Sequence, residues 1–423
     1  MNTKKQPFKP ELLAPAGNLE KCRIAFLYGA DAVYVGGKDY NLRSYAGNLG
    51  REELAEASAL AHRLGKKLYV TVNAFTRESD LGTLPPFLQY LQEVCVDGVI
   101  VSDPAVLTLA ARWAPEVPLH LSTQANTTNS LTVQFWQNHG ICRVNLAREL
   151  TYEELAEIKR TAGIELEIFV HGAMCISYSG RCLLSAFLNN RSANRGLCTQ
   201  PCRWSYSLVE EKRPGEYFPV REDARGSYIF NSKDLCLLEH LGKLMAIGMH
   251  AFKIEGRMKG ALYLASVIRT YRQAIDRYWE TPEAFEVDPK WREDLACVSH
   301  RPYTGGLLFN DSSAACQGVE IAVNYVQTHT LAGIVRPAPQ SQWETCLSPA
   351  NDGTDWTTIE VRSRLISGME LHFLGVDGST TVHVLEDFQG LSGDPLTVAH
   401  PNTWIQVQLS FATFPKQVIR TPR

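Results

Sequence analysis

Short apolar runs alternate with amphipathic stretches along the first two thirds of the chain. Runs such as Ala32–Val35 and Val99–Val101 are apolar at every position, which is typical of strands that are buried on both faces. The pattern predicts eight strands, at Leu12–Ala14, Ala32–Val35, Lys67–Val72, Val99–Val101, Leu119–Leu121, Arg143–Leu146, Glu165–Val170 and Ala251–Ile254.

The stretches between these runs repeat apolar residues every three to four positions, as helices do. They predict helices at Leu19–Tyr28, Glu52–Leu64, Leu84–Val94, Pro104–Trp113, Leu131–Asn138, Tyr152–Arg160 and Gly260–Tyr278. Asn18 is suited to cap the first of them. Eight strands alternating with helices favour an α/β fold in which parallel units close into a TIM-like (β/α)8 barrel.

An open doubly wound sheet is the competing layout. The first predicted strand is followed by Pro15-Ala16-Gly17-Asn18, which lacks the glycine pattern of a dinucleotide-binding loop. We therefore favour the barrel.

The barrel pattern is interrupted after the seventh predicted strand by an insertion at about residues 171–250. Turn residues separate short apolar runs in it and predict strands at Trp204–Glu210, Glu216–Glu222 and Tyr228–Phe230. A helix is predicted at Asp234–Ala246. The insertion starts at the carboxyl end of a strand, which in TIM barrels is the catalytic face.

From about Val319 the apolar period changes to two, which is typical of half-buried strands. Strands are predicted at Asn324–Val335, Thr357–Arg362, Met369–Leu374, Thr380–Leu385, Pro395–Ala399 and Trp404–Leu409. The sequence thus predicts a TIM-like barrel at 8–310 and a small all-β barrel at 319–415.

The charge balance excludes a generally basic nucleic-acid coat. Lys plus Arg number 42 against 45 for Asp plus Glu, so the net charge is −3, although a local basic pocket remains compatible with it. The start of the chain has no apolar signal region, and no run of about 18 apolar residues occurs. We expect a cytoplasmic protein without a membrane span.

Cysteines cluster in the insertion. The chain has 11 cysteines, and four of them lie within 28 residues. The cluster is Cys175, Cys182, Cys198 and Cys202, with Cys236 following. Converging thiolates hold iron–sulfur clusters, and zinc is the main alternative. A lone cysteine more often behaves as a small core residue. We expect that of Cys22, Cys95, Cys142, Cys297, Cys316 and Cys346.

Polar residues stand at or just after the predicted strand ends. They are Asn73, Asp103, Gln124, Arg148, Glu149, His171, Lys253, Glu255 and Arg257. Arginine and lysine suit a carboxylate or phosphate ligand, and His171 or Glu255 could transfer protons. The alternative for each residue is an ordinary cap or ion pair. Neither His-Glu-x-x-His nor Gly-x-Ser-x-Gly occurs in the chain.

The segment Glu167–Ser185, EIFVHGAMCISYSGRCLLS, resembles the signature of peptidase family U32, the collagenase-like peptidases. Further segments carry the same resemblance, at Glu11–Gly17, Asp31–Gly36, Asn194–Arg203, Asn231–Cys236 and Lys253–Lys259. It covers about residues 8–310, and the remaining tail resembles the family's C-terminal β-barrel.

The resemblance implies one of several activities. Some family members are described as peptidases, and others are hydroxylation proteins that act on tRNA, ribosomal RNA or a quinone ring. The chain looks most like the tRNA branch, which forms 5-hydroxyuridine at the wobble position with prephenate as hydroxyl donor. A non-catalytic metal-binding assembly factor is a further alternative. No oligomeric state is predicted.

The resemblance also implies a site. The family's 4Fe-4S cluster maps onto Cys175, Cys182, Cys198 and Cys236, and Cys202 leaves the third or fourth ligand open. We expect the carboxylates of the donor to be bound by Arg148, Lys253 and Arg257. His171 or Glu255 would move protons. Together with the β module, four arginines around the cysteines would receive the RNA: Arg181, Arg191, Arg195 and Arg203.

Overall fold

The computed structural model of the chain describes most of the barrel and of the C-terminal sheet. The described residues are 8–41, 47–174, 182, 184–189, 191, 193, 196–201, 207–208, 218–219, 233–309, 325–337 and 356–423. None of the helices within these ranges is long and apolar enough to cross a membrane.

Strands and helices alternate through the first 300 residues or so of the described chain. The strands are β1 (Glu11–Pro15), β2 (Ala32–Gly36), β3 (Lys67–Val72), β4 (Gly98–Val101), β5 (Leu119–Leu121), β6 (Ile141–Asn145), β7 (Glu165–Ala173), β8 (Ser207–Leu208), β9 (Phe218–Pro219), β10 (Asp234–Cys236), β11 (Ala251–Ile254) and β12 (Tyr303–Thr304). The helices are α1 (Leu19–Leu27), α2 (Arg51–Arg63), α3 (Leu84–Glu93), α4 (Pro104–Trp113), α5 (Ser130–Asn138), α6 (Tyr152–Thr161), α7 (Leu184–Asn189), α8 (Leu241–Ala246), α9 (Ala261–Glu280) and α10 (Pro289–Ala296).

Eight parallel strands form a closed barrel, which confirms the predicted TIM-like fold. Strands β1 to β7 pair in sequence order, and β11 closes the ring by pairing with both β1 and β7. Leu13, Tyr34, Tyr69 and Ile100 belong to a small apolar cluster of buried strand residues, separate from the larger cluster packed with the helices.

Side-chain caps mark the starts of the barrel helices. The Asn18 side chain accepts a hydrogen bond from Lys21 N at 2.9 Å, as predicted for the first helix. Asp103, one of the strand-end polar residues, caps α4 through Ala105 N and also accepts from Thr76 N. This carboxylate therefore acts as an ordinary cap.

The insertion extends the barrel sheet, and one prediction there is wrong. Asp234–Cys236 is not helical but forms β10, which pairs antiparallel with the end of β7 and parallel with β12. The helix begins only at Leu241. Tertiary pairing with β7 outweighs the local helical pattern. Of the predicted short strands, β8 and β9 form an antiparallel pair, while 228–230 lies outside the described residues.

The C-terminal module is a curled antiparallel sheet. Its strands are β13 (His329–Arg336), β14 (Trp356–Val361), β16 (Met369–Leu374), β17 (Thr380–Leu385), β18 (Phe388–Gly390), β19 (Pro395–Leu396), β21 (Trp404–Gln408) and β22 (Val418–Pro422). Two short strands of the module, β15 (Leu365–Ile366) and β20 (Val398–Ala399), form a separate antiparallel pair. The unpredicted β22 lies centrally, between β16 and β13, so the sheet continues past the expected boundary at 415.

Buried polar contacts join the module to the barrel. Asp294 of α10 binds Arg269 of α9 at 2.6 Å and Arg420 of β22 at 3.0 Å. Tyr28 of α1 donates to Leu374 O and accepts from Val418 N. All these side chains are buried, so the contacts are shielded from water.

Candidate functional site

Three side chains meet near the carboxyl ends of β2 and β11. Lys253 Nζ lies 4.6 Å from the centre of the Tyr34 ring, and Tyr34 Oη lies 3.4 Å from Glu255 Oε2. Tyr34 therefore links a cation inside the barrel to a carboxylate at its mouth. The two charged residues are predicted from the sequence, but the tyrosine is not, because its only signal is a hydroxyl-bearing ring in an apolar strand.

Glu255 stands where the strand pattern placed it, directly after β11. Its backbone N donates to His171 O and its carbonyl accepts from Tyr263 Oη, both at 2.8 Å. Gly172 has a φ of +111°, and a Cβ at this position would collide with the Glu255 carbonyl oxygen. The backbone of Glu255 is thus held firmly while its side chain remains partly exposed.

Lys253 is not a mouth residue, contrary to the expectation. It lies within β11, and its ammonium is buried inside the barrel, 2.8 Å from Glu167 Oε1. The buried carboxylate already compensates the lysine charge. Glu167 is a second residue that sequence analysis missed as a site component, although a charged residue inside an apolar strand was visible.

Charged residues fill the amino-terminal half of the barrel as well. Arg143 contacts Glu11 at 2.5 Å and Glu167 at 3.7 Å. Burial raises the pKa of Tyr69, whose hydroxyl donates to Glu11. Burial and the positive charge of Arg143 lower the pKa of His120 well below its usual value. Arg143, Glu11 and Glu167 thus form a network of ion pairs in the amino-terminal half of the barrel.

Arg257 is buried at the mouth rather than open to a ligand. Its guanidinium donates to Asn41 Oδ1 at 2.8 Å and to Thr71 Oγ1 at 3.2 Å. A Cβ on Gly36 would collide with Arg257 Nη1, so the glycine makes room for the guanidinium. Arg257, which was expected to bind the donor, is therefore hydrogen-bonded to Asn41 in the loop after β2 instead.

His171 is buried beside α9 and does not reach solvent. The rings of Tyr263, Tyr271 and Tyr303 surround it at 5.3 to 5.9 Å between centroids. Burial lowers the pKa of His171 to about 3, so the ring is neutral at neutral pH. This differs from the expected proton carrier, whose pKa would lie near the working pH.

Among the three cations predicted to bind the donor, Arg148 is the half-buried one. Its Cζ lies 4.1 Å from the centre of the Phe169 ring, and Nη1 donates to Ala173 O at 3.4 Å. It lines a cavity of about 30 Å³ beside Met174 and Leu235. This space holds one or two waters and is too small for a ring-bearing dicarboxylate.

Two of the five clustered cysteines, Cys175 and Cys202, lie outside the described residues. Cys182 precedes α7, and the segment that carries Cys198 packs along this helix, because Thr199 is hydrogen-bonded to Ser185 at 3.1 Å and to Asn189 at 2.9 Å. Both thiols are free and partly exposed. Three of the four arginines near the cluster, at 181, 195 and 203, are likewise undescribed, and Arg191 is half-buried.

Cys236 ends β10 and pairs in register with His171. Its sulfur lies 3.8 Å from Tyr271 Oη, and burial raises the pKa of its thiol. Across the described part of the chain, no group of three His, Cys, Asp or Glu residues converges as a metal site. The described thiols fit an iron–sulfur cluster in donor type but do not form a ligand set without the undescribed cysteines.

The remaining cysteines only partly follow the core expectation. Cys22 and Cys297 are buried, whereas Cys95 and Cys142 are exposed. Cys95 follows the end of α3, and Cys142 lies on the exposed face of β6. The local apolar pattern does not distinguish these exposed positions from buried ones. Cys316 and Cys346 lie outside the described residues.

Comparison with known proteins identifies relatives of this chain. Residues 17–317 match peptidase family U32. The chain is 37% identical to tRNA hydroxylation protein P1 of Bacillus subtilis (strain 168) over 413 residues, which cover 97% of this chain and 94% of that protein. It is 42% identical to tRNA hydroxylation protein P of Escherichia coli (strain K12) over 341 residues, covering 71% and 75%.

A relative with a different name matches a smaller part of the chain. The Porphyromonas gingivalis (strain ATCC BAA-308 / W83) protein named Collagenase is 34% identical over 308 residues, which cover 70% of this chain and 72% of that protein. The family match spans more than half of the sequence, and the relatives agree with it. The chain therefore belongs to peptidase family U32.

Proposed function

We propose that this protein is a tRNA hydroxylation protein that forms 5-hydroxyuridine at the wobble position. The observation that carries the proposal is the extent of the likeness to the Bacillus subtilis tRNA hydroxylation protein P1, at 37% identity across 97% of this chain. The shared length includes the C-terminal sheet as well as the barrel. We expect the protein to meet its tRNA in the cytoplasm.

The barrel mouth supports proton-transfer chemistry. Glu255 offers a partly exposed carboxylate 3.4 Å from the Tyr34 hydroxyl, and this hydroxyl can donate its one proton either to Glu255 or to Ile254 O, which lies at 2.9 Å. We assign proton movement to Glu255, with Tyr34 positioning it. The buried neutral His171 is the weaker candidate, because its pKa of about 3 is far from a neutral working pH.

We further propose that the cysteine cluster holds a 4Fe-4S centre. Cys175, Cys182, Cys198 and Cys236 are the proposed ligands, with Cys202 as a replacement for the third or fourth. Their thiolates are the donors that such a centre requires, and when bound it would supply one-electron redox chemistry. Tyr271, 3.8 Å from Cys236, would orient that thiolate.

Prephenate, a small dicarboxylate, is the proposed hydroxyl donor. Arg148 is its best-placed carboxylate partner among the predicted donor-binding cations, because it is half-buried and its bond to Ala173 O is long, at 3.4 Å, whereas Lys253 is in a buried ion pair and Arg257 is buried with shorter hydrogen bonds. A guanidinium held over an aromatic ring is suited to a planar carboxylate. The small cavity beside Arg148 would have to widen to admit the donor.

Nucleoside mass spectrometry tests the proposed function. In a strain lacking the gene and any redundant pathway, 5-hydroxyuridine and its derivatives should disappear from tRNA. They should disappear as well when the cells are deprived of prephenate. Unchanged nucleosides would contradict the proposal, and release of peptides from gelatin by the pure protein would favour a peptidase instead.

A further inference from the structure

A cavity of about 420 Å³ lies between the loop after β2 and the start of α3. This volume falls in the range of small-ligand sites. Tyr40, Leu49 and Phe87 supply apolar surface, and Lys38, Asp39 and Arg51 supply charge. None of these residues belongs to the site described above.

Two aromatic rings form one wall of the cavity. The centroids of Tyr40 and Phe87 are 5.8 Å apart. Tyr40 has a φ of +61°, in the left-handed region, and its hydroxyl is hydrogen-bonded to Thr83 Oγ1. A Cβ on Gly37 would lie 2.8 Å from Phe87 Cζ, so the glycine allows that ring to pack closely. Contacts with Thr83 and Gly37 therefore hold the two rings in place.

Charges of both signs lie at the rim. Lys38 and Arg51 are exposed cations, and the exposed acids near them are Asp39, Glu52 and Glu53. Arg51 begins α2, a helix of 13 residues whose N-cap, Gly50, has no side chain to accept from the first-turn N–H groups. The Glu53 carboxylate is engaged by Gly50 N at 2.9 Å. The groups at this end of α2 that suit a phosphate are therefore the two cations and the first-turn N–H groups, while Glu52 and Glu53 oppose them.

The cavity adjoins the barrel mouth through a shared loop. Asn41 follows Tyr40 in sequence and accepts from the buried Arg257 at 2.8 Å. Its amide also donates to Gly37 O at 2.5 Å. Residues 38–40, which line the cavity, therefore directly precede the residue that Arg257 holds at the mouth, and a ligand in the cavity would lie beside the mouth.

We propose that this cavity binds one nucleotide of the RNA strand whose neighbouring base enters the barrel mouth. The base would pack on Tyr40 and Phe87, since every base offers a π-face to an aromatic ring. The phosphate would lie near Lys38 and Arg51, at the start of α2. The inference rests on the proposed function and adds a binding site to it.

Binding of unmodified tRNA to the purified full-length protein, measured by filter binding over a range of salt concentrations, tests this site. Arg51→Ala should make the salt dependence shallower by about one unit, as expected for one lost phosphate contact. Phe87→Leu should weaken binding by about tenfold with an unchanged salt dependence. Arg63→Ala, at the exposed far end of the same helix, is the matched control and should bind like wild type.

The outcomes separate this site from the proposed function. If wild type binds tRNA and both cavity variants behave like Arg63→Ala, the nucleotide site is wrong and the function stands. If wild type binds no tRNA and its deletion leaves the tRNA nucleosides unchanged, the function itself fails. A third outcome is that free uridine monophosphate binds saturably and as tightly as tRNA, and that Phe87→Leu abolishes this binding. The cavity would then be a site for a free nucleotide, and the proposed RNA-strand site would be wrong.

Discussion

Lys253 and Glu167 form an ion pair inside the barrel, with Nζ 2.8 Å from Oε1 and both side chains buried. The pair lies directly below Tyr34, whose hydroxyl approaches Glu255. Buried charged side chains therefore lie directly below the mouth of the barrel. We expect the loss of one of these charges to lower the stability of the fold as well as any activity at the mouth.

Breaking this pair should be costly. Lys253→Met leaves the Glu167 carboxylate with only the more distant Arg143, and we expect a loss of about 3–5 kcal/mol in the free energy of unfolding. Urea denaturation measures it. Lys67→Met removes an exposed lysine that contacts Glu11 at 3.3 Å and should lose less than about 1 kcal/mol. Equal losses in the two variants would show that Lys253 is not buried.

The C-terminal sheet should depend on one carboxylate. Asp294→Asn leaves the buried guanidiniums of Arg269 and Arg420 without a counter-charge, so we expect about 3–5 kcal/mol of destabilisation and faster proteolysis of the β module. Glu239→Ala, which removes an exposed pair with Arg292, serves as control. An Asp294→Asn protein as stable as that control would contradict the docking described here.

Acid should destabilise the protein partly through His120. Burial lowers the pKa of His120, so the folded state holds the ring neutral while the unfolded chain takes up a proton below about pH 6.5. Stability from this residue is complete above that pH and falls below it, by at most about 1.4 kcal/mol per pH unit. Urea denaturation at pH 7 and 5 should show a smaller difference for His120→Gln. If the wild type and His120→Gln lose the same free energy of unfolding between pH 7 and 5, His120 does not contribute to the acid sensitivity.

Substitution of a clustered cysteine and of a distant cysteine should affect the visible absorption of the protein differently. Protein purified without oxygen should show the broad visible absorption of an iron–sulfur centre, and Cys236→Ala should lose most of it. Cys95→Ala changes an exposed cysteine outside the cluster and should keep the spectrum. A colourless wild-type protein containing zinc would contradict the proposed centre.

The barrel could be predicted closely because its signals are local. Lys67–Val72, Pro104–Trp113 and Ala251–Ile254 begin and end as the sequence indicates. The helix predicted at Asp234–Ala246 is wrong only in its first part, because Asp234–Cys236 forms β10 and owes its conformation to β7, which is distant in sequence, while Leu241–Ala246 is helical. The strand Val418–Pro422 was missed for the same reason, since its partners β13 and β16 surround it only in the fold.

The site was harder to predict than the fold. Sequence patterns locate a strand end only to within one or two residues, and one residue decides whether a side chain points into the barrel. Depth along the strand matters as well, since Lys253 is buried in an ion pair and Glu255, two residues on, reaches the mouth. The burial of His171 and Arg257 depends on α9 and on the loop after β2, which no local pattern reports.

The most direct test is complementation in a bacterial host that lacks all routes to 5-hydroxyuridine. Expression of this chain should restore the modified wobble nucleoside in tRNA, as measured by mass spectrometry of digested tRNA, and the Cys236→Ala variant should not restore it. Absence of the nucleoside in cells that contain the intact wild-type protein, together with normal prephenate supply, would contradict the proposed tRNA hydroxylation.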